Sequence, residues 1–239
     1  MADTMSTRSP FDLLAPELKL MILKRVCPTS LLALAMANKS LYALFKDNEH
    51  IITYNVVAET TGHHFPHAIA LYAADHFSWG AMSRCCTDSE QLTKIQEFGR
   101  KFLERSTGSI PVKPHDFNYT VAMEMSNDHD AIQEHAAWFV MKEQTLESLS
   151  NKILFESAFL TKLGMVESAL YAQKISNKLV AGLGPSHFTL GQDSVFHYFL
   201  PSEVSLVYQV RLVMKILVKF GNNCQREANP SILLHMAVY

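Results

Sequence analysis

Histidine is the residue type with the clearest capacity for chemistry in this sequence, with eleven in all and a cluster, HHFPH, at 63–67. Imidazole nitrogens bind transition metals, and two histidines four residues apart can share an ion when they lie on one continuous helix. Pro66 stands inside that pair and also pushes the preceding Phe65 out of the α conformation. The cluster is therefore interpreted as a polar turn with a helix beginning near Pro66, and no metal site is predicted.

The cysteines form no recognisable metal-binding or disulfide pattern. Cys27, the adjacent Cys85 and Cys86, and Cys224 lack a CxxC spacing, and neighbouring cysteines strain a disulfide ring. Reduced thiols of this kind are typical of cytosolic or nuclear proteins. The N-terminal MADTMSTRSP has no apolar signal segment, and no apolar run approaches the ~20 residues that span a bilayer. A cytoplasmic or nuclear protein without a membrane partner is expected.

Motifs for catalysis and for cofactor binding are not found in the sequence. There is no G-x-S-x-G nucleophile elbow, and Gly182, Gly184 and Gly191 lack the spacing of a dinucleotide-binding or phosphate-binding loop. Glu143 and Glu147 lie one helical turn apart, but no histidine accompanies them, so a solvated helix face is expected. The sequence therefore predicts a protein that is not an enzyme and that carries no cofactor.

Composition limits the partners of the chain. Over 239 residues, 21 basic and 23 acidic side chains nearly balance and form no basic block. Nothing in this charge pattern provides the cationic surface that nucleic acids require. Because 48% of the residues are hydrophobic and 18% are charged, a folded chain with a substantial core is expected.

Apolar residues recur mostly with a helical period, which predicts an all-α fold. The predicted helices lie at 16–26, within 30–48 as one bent or two short helices, from a cap at 88–91 to Gly108, at about 128–147, at 150–181 and at 202–220. The segment 107–118 is predicted to be a linker and 185–201 to be irregular, while 117–125 favours helix or loop over strand. Trp138, Phe139 and Val140 are expected to anchor the core of the C-terminal half.

The segment at 11–45, FDLLAPELKLMILKRVCPTSLLALAMANKSLYALF, resembles an F-box. The family pattern begins with Leu-Pro, one further residue and Glu-Leu, continues with isoleucine and leucine, passes a proline-containing turn into Ser-Leu-Leu, and ends in lysine, leucine and tyrosine. The matching residues include Ser30 and Lys39 beside the contact residues named below. Ala15 stands where the family has its first proline, and Pro16 follows one place later. The match is similar to that of short F-box proteins of filamentous fungi, whose helical C-terminal regions often carry a LYA-type segment like Ala68 to Asp75, a long helix like 155–175 and a Pro-x-Glu start like Pro201-Ser202-Glu203.

The resemblance implies an adaptor-binding role without chemistry of its own. F-boxes bind a Skp-type adaptor, which connects them to a cullin, so the chain would be a substrate-receptor subunit of an SCF-type cullin-RING ubiquitin ligase that directs an unidentified protein substrate to degradation. The implied division is an F-box-like helical trio at 10–50, followed by an irregular helical domain at 51–239. The implied adaptor-binding residues are Leu14, Pro16, Glu17, Leu18, Ile22, Leu23, Pro28, Leu31, Leu32, Leu34, Leu41 and Tyr42.

The alternative is a self-contained helical interaction or structural protein. In that case Leu31, Leu32 and Leu34 belong to the core of the chain itself, as apolar helical stripes usually do. No WD40, leucine-rich or Kelch period follows the F-box-like segment, so the sequence does not indicate a substrate.

Overall fold

A computed structural model describes residues 10–76, 87–104, 112–144, 152–181 and 183–221, and within these ranges the chain is helical and contains no strand, which confirms the all-α prediction. The helices are α1 (Pro16–Lys24), α2 (Pro28–Met36), α3 (Lys39–Asp47), α4 (Glu49–Thr61), α5 (Phe65–Asp75), α6 (Asp88–Phe102), α7 (Tyr119–Gln144), α8 (Lys152–Val180), α9 (Pro185–Phe196) and α10 (Pro201–Gly221). Short 3-10 turns occupy Pro10–Leu13, Gly62–His64 and Pro114–Asp116. None of these described helices has the length and apolar character needed to cross a membrane.

The first three helices begin at local sequence signals. Pro16 and Pro28 open α1 and α2, where the N–H that proline lacks would have no partner within the helix. Asn38 caps α3, because its side-chain oxygen accepts hydrogen bonds from the backbone N–H of Ser40 at 2.8 Å and of Leu41 at 3.3 Å. Of the two possibilities left open for 30–48, the chain therefore adopts two short helices.

These helices enclose a small apolar core of their own, here called the N-terminal cluster. Helix α4 closes this core from one side. The buried members of the cluster are Leu23, Leu31, Ala35, Leu41, Phe45, Ile52 and Val56. The division predicted at residue 50 therefore runs through α4, which also contributes Val57 to the larger core of the C-terminal part.

The larger core is organised around α8. This helix contacts α5, α7, α9 and α10, while α9 also packs on α6. Phe139 and Val140 are buried in the larger core and Trp138 packs against it, as expected from the sequence. The C-terminal part is thus a bundle with one helix at its centre.

Helix α6 is capped by Thr87, one residue before the predicted cap at 88–91, and it ends earlier than predicted. The Thr87 hydroxyl accepts from the backbone N–H of Glu90 at 3.4 Å, and the Glu90 carboxylate accepts from the N–H of Thr87 at 2.8 Å. Together they form a capping box, which satisfies two N–H groups at the helix start. The helix ends at Phe102, and Gly108 lies outside the described residues.

Two predicted boundaries in the C-terminal half were wrong. Helix α7 begins at Tyr119 rather than near residue 128, because Asn118 accepts a hydrogen bond from the N–H of Val121 at 2.9 Å and caps the helix early. The segment predicted to be irregular at 185–201 contains α9, which buries Val195 and Phe196 in the larger core. Pro185 opens this helix at its first turn, and tertiary burial outweighs the low helix propensity of Gly191.

The packing of α9 on the end of α8 leads to a stability prediction for Gly191. A Cβ atom there would lie 2.5 Å from the Leu183 side chain and 2.9 Å from Val180, which are both buried. We expect Gly191→Ala to lower the free energy of unfolding by about 1–2 kcal/mol, because overpacking outweighs the better helix propensity of alanine. Urea unfolding followed by circular dichroism measures this difference.

Gly164 in α8 provides the matched control. A Cβ atom at this position would have ordinary contact distances, the nearest being 3.6 Å to Nε2 of His63. Gly164→Ala should therefore leave stability unchanged or raise it by up to about 1 kcal/mol. Equal losses in both variants would show that close packing is not what requires glycine at position 191.

Candidate functional site

Helix α1 carries an apolar stripe on the side that faces away from the N-terminal cluster. Leu18 and Met21 are 47% and 61% exposed, and Ile22 beside them is half-buried. The spacing i, i+3, i+4 aligns these side chains on one helix face. The opposite face carries Lys19 and Leu23, which are buried. The side chains of the stripe therefore do not take part in the packing of α1 against the N-terminal cluster.

The predicted adaptor-binding residues fall into three groups by exposure. Those that are buried in the trio are Leu23, Pro28, Leu31 and Leu41. Those that are half-buried are Leu14, Ile22, Leu32 and Leu34. Those that are exposed are Pro16, Glu17, Leu18 and Tyr42. The buried group holds the helices together, so only the other two groups offer surface to a partner.

Sequence reasoning missed three further apolar side chains on this part of the surface. Leu13, Met21 and Met36 are 74%, 61% and 67% exposed. For Met21, the signal that could have found it is its place three residues after Leu18, on the face opposite Leu23. The sequence gives no such spacing signal for the other two, because Leu13 ends a 3-10 turn and Met36 ends helix α2.

A groove of about 670 Å³ lies between α2, α3 and the start of α7, with Leu32, Met36 and Tyr42 along its walls. Glu49 lies at one end of the groove and connects its walls. The Glu49 carboxylate accepts a hydrogen bond from the backbone N–H of Tyr119 at 3.0 Å and forms an ion pair with Lys46 at 3.0 Å. Burial alone would raise the pKa of Glu49, but the Tyr119 N–H and the Lys46 ammonium lower it overall. The groove is thus apolar with a charged end.

A second set of candidate residues lies in the interior, at the predicted HHFPH turn. The Gly62–His64 turn leads into α5 at Phe65, which confirms the helix start near Pro66. Phe65 itself has α conformation (φ −50°, ψ −45°), contrary to the expectation for a residue before proline. The burial of its ring, edge-on to Tyr54 at a centroid distance of 5.2 Å, offsets that steric preference.

His64 lies at the centre of this interior cluster. Its side chain is 1% exposed, and its Nε2 is 2.8 Å from the carboxylate of Glu167, which α8 contributes. The Tyr171 ring, one turn further along α8, stacks on His64 with centroids 5.5 Å apart. His63, whose ring centroid is 3.8 Å from that of His64, stands at the exposed edge of the cluster. Residues that are a hundred positions apart thus meet at one point.

His129 and Tyr171 form the inner wall of the same cluster. The Nδ1 atom of His129 lies 2.8 Å from the Tyr171 hydroxyl, and both side chains are buried. Burial lowers the pKa of His129 and raises that of Tyr171 far above its ordinary value. Both groups are therefore neutral at pH 7, and their contact is an uncharged hydrogen bond.

The remaining residues singled out in the sequence contribute little to the surface of the N-terminal helices or to the interior histidine cluster. Cys27 is exposed, with its Sγ 3.3 Å from the hydroxyls of Thr29 and Ser30, while the other three cysteines lie outside the described residues. The proposed solvated face at Glu143 and Glu147 lies outside the side chains that the structure describes. Gly191 lies inside α9, away from any turn that could hold a phosphate.

Comparison with known proteins does not assign the chain to a group. No family model, no curated protein and no solved structure matches it. The functional inference therefore rests on two features, which are the surface of the N-terminal helices and the interior histidine cluster.

The hydrogen bond between Tyr171 and His129 leads to a prediction for the interior cluster. Tyr171→Phe removes the hydroxyl and leaves Nδ1 of buried His129 without this partner. We expect the free energy of unfolding to fall by about 1–3 kcal/mol, which is the cost of an unsatisfied buried polar group. Urea titration of the full chain measures the change.

Tyr198→Phe is the control for this substitution. The Tyr198 hydroxyl is 3.5 Å from the carbonyl oxygen of Gln96, in an exposed hydrogen bond. Its removal should change stability by no more than about 0.5 kcal/mol. A similar loss of unfolding free energy in the two variants would mean that the buried Tyr171–His129 hydrogen bond adds no more to stability than an exposed one.

Proposed function

We propose that the chain is a non-catalytic substrate-receptor subunit of an SCF-type ubiquitin ligase, which binds a Skp-type adaptor through α1, α2 and α3. The adaptor would connect it to a cullin, and the C-terminal bundle would bind a protein substrate that neither sequence nor fold identifies. This role belongs in the cytoplasm or the nucleus. The ordered residues of the F-box-like segment, similar to those of short fungal F-box proteins, support the proposal.

The observation that carries the proposal is the exposed apolar stripe of α1. The core of the trio is closed without it, since Leu23, Leu31 and Leu41 are fully buried on the inner side. Leu18 and Met21 nevertheless remain in contact with water. A helix face with apolar side chains at i, i+3 and i+4 is what a helical partner needs for docking. A partner that covers this stripe gains the hydrophobic burial that folding leaves unused.

The departure from the family pattern at Ala15 is compatible with this role. Ala15 has extended backbone with φ −61° and ψ 147°, which is close to the φ that a proline ring imposes. A proline at position 15 would therefore fit the backbone φ that Ala15 has. Pro16 then supplies the first residue of the helix.

One observation favours the alternative, a self-contained helical protein whose trio belongs to its own core. Helix α2 contacts α7, and Tyr119 of α7 packs against the N-terminal cluster. The trio thus rests on the C-terminal bundle rather than extending from it. This alternative gives the exposed stripe of α1 no role, and for that reason we place it second.

A pull-down with charged variants tests the proposal. Full-length protein should hold a recombinant Skp-type adaptor through gel filtration. The double variant Leu18→Asp, Met21→Asp should bind it at least about tenfold more weakly, because carboxylates would be desolvated in an apolar interface. Both positions are exposed, so the variant should keep the wild-type circular dichroism spectrum and melting temperature.

The matched control is Met141→Asp, Leu190→Asp, which charges two exposed apolar positions in the C-terminal bundle (54% and 52% exposed). It should bind the adaptor as wild type does. A folded wild-type protein that does not retain the adaptor would contradict the F-box proposal and favour the alternative. Retention by the Leu18, Met21 variant would contradict the assignment of the α1 stripe as the interface.

A further inference from the structure

The interior histidine cluster contains a polar side chain whose environment the adaptor role does not explain. His64 is 1% exposed, and neither of its ring nitrogens forms a hydrogen bond with a described residue. Its Nε2 lies 2.8 Å from Oε2 of Glu167, but without the alignment of a hydrogen bond. Glu167 is itself 5% exposed. Buried groups of this kind are normally satisfied, so the pair calls for a further partner.

Three potential ligand atoms converge at this point. His63, His64 and Glu167 each offer one atom, and these atoms lie within 4.8 Å of one another. Two atoms bound to one tetrahedral zinc ion at about 2.0–2.1 Å are roughly 3.3 Å apart. The 2.8 Å between His64 and Glu167 is shorter than this value, so the two side chains would move apart by about 0.5 Å to hold an ion. The ring of His63 is exposed, so its side-chain torsions can bring its nitrogen to the same point.

The backbone around the cluster leaves room for this approach. Gly164 stands one turn before Glu167 on α8, and even a Cβ atom there would lie only 3.6 Å from Nε2 of His63. A longer side chain at position 164 would occupy the space between His63 and the helix. Gly62 precedes the pair with φ +53°, a conformation that glycine adopts readily, and it lies between α4 and the turn that carries His63 and His64.

We propose that His63, His64 and Glu167 bind a divalent transition-metal ion, with Zn²⁺ as the best match. Two imidazoles and one carboxylate are a ligand set typical of zinc, and the exposed side of the site leaves one position for water. The ion would place positive charge beside the buried Glu167 carboxylate, and would tie the turn before α5 to α8. This inference is independent of the adaptor role and revises the sequence-based expectation of no metal site.

The side of the site that faces the protein interior is closed by packed side chains. The stacked Tyr171 ring and the buried His129 shield the inner side of the site from water.

Zinc titration of the full-length chain tests the site. Protein dialysed against EDTA and then against metal-free buffer should bind one zinc ion per chain in calorimetric titration with zinc sulfate. At saturating zinc, its melting temperature should rise by several degrees, because the ion binds only the folded arrangement. His63→Gln and Glu167→Gln should each weaken binding roughly 100-fold or more, since even groups that only orient a ligand contribute about 10–100-fold.

His187→Gln is the matched control, since Nδ1 of His187 also lies 2.8 Å from a carboxylate, that of Asp88, but belongs to no three-ligand group among the described residues. It should bind zinc as wild type does. Circular dichroism of His63→Gln, altered at an exposed position, confirms folding. Two results would overturn the proposal. One is the failure of wild type to bind stoichiometric zinc. The other is wild-type affinity in His63→Gln and Glu167→Gln, which would locate the ion elsewhere, for example at the cysteines.

Discussion

The enclosure of α8 on all sides is the constraint on which the rest of the structure depends. Between residues 162 and 180 every residue of this helix is buried or half-buried, and α5, α7, α9 and α10 surround it. A helix in this position cannot turn a polar face to water. Several of its polar residues contact side chains of the surrounding helices, while Oε1 of Gln173 and Oγ of Ser176 are buried without a hydrogen bond to a described residue. Lys174 pairs with Asp128 at 3.1 Å, the Tyr171 hydroxyl contacts His129, and Glu167 contacts His64.

The same enclosure means that the N-terminal helices touch the main bundle on one side, where α2 contacts α7. Because α5 to α10 bury their own apolar surface around α8, the trio needs only α4 and the start of α7 to complete its small core. Its outer surface is then unconstrained by packing. Exposed leucines and methionines cost solubility and add nothing to internal stability, so their retention on α1 is understandable where a partner covers them. The inner residues of the trio are thus constrained by packing, whereas the residues on its outer surface are not.

Local signals made most of the helices predictable, and long-range packing limited the rest. Proline at helix starts, the cap near Asp88 and the helical period of apolar residues act within a few positions, and the sequence displays them directly. Helix α9 was missed because its stability comes from contacts with α6 and α8 rather than from propensity. The meeting of His64 with Glu167 was missed for the same reason. The local spacing of HHFPH correctly excluded a shared helix face at 63–67 but said nothing about a ligand from α8.

Helix α4 joins the two regions to which functions are proposed. Ile52 and Val56 belong to the N-terminal cluster, Val57 belongs to the larger core, and the helix ends at the glycine turn that carries His63 and His64. Its 13 residues span about 20 Å, at roughly 1.5 Å per residue. An ion bound beyond its C-terminal end would fix that end against α8, while its other half supports the trio. The side chains of the α1 stripe and those of the histidine cluster are different sets on different elements. An adaptor and a metal ion would therefore compete for no residue, so the two proposals can be tested independently of each other.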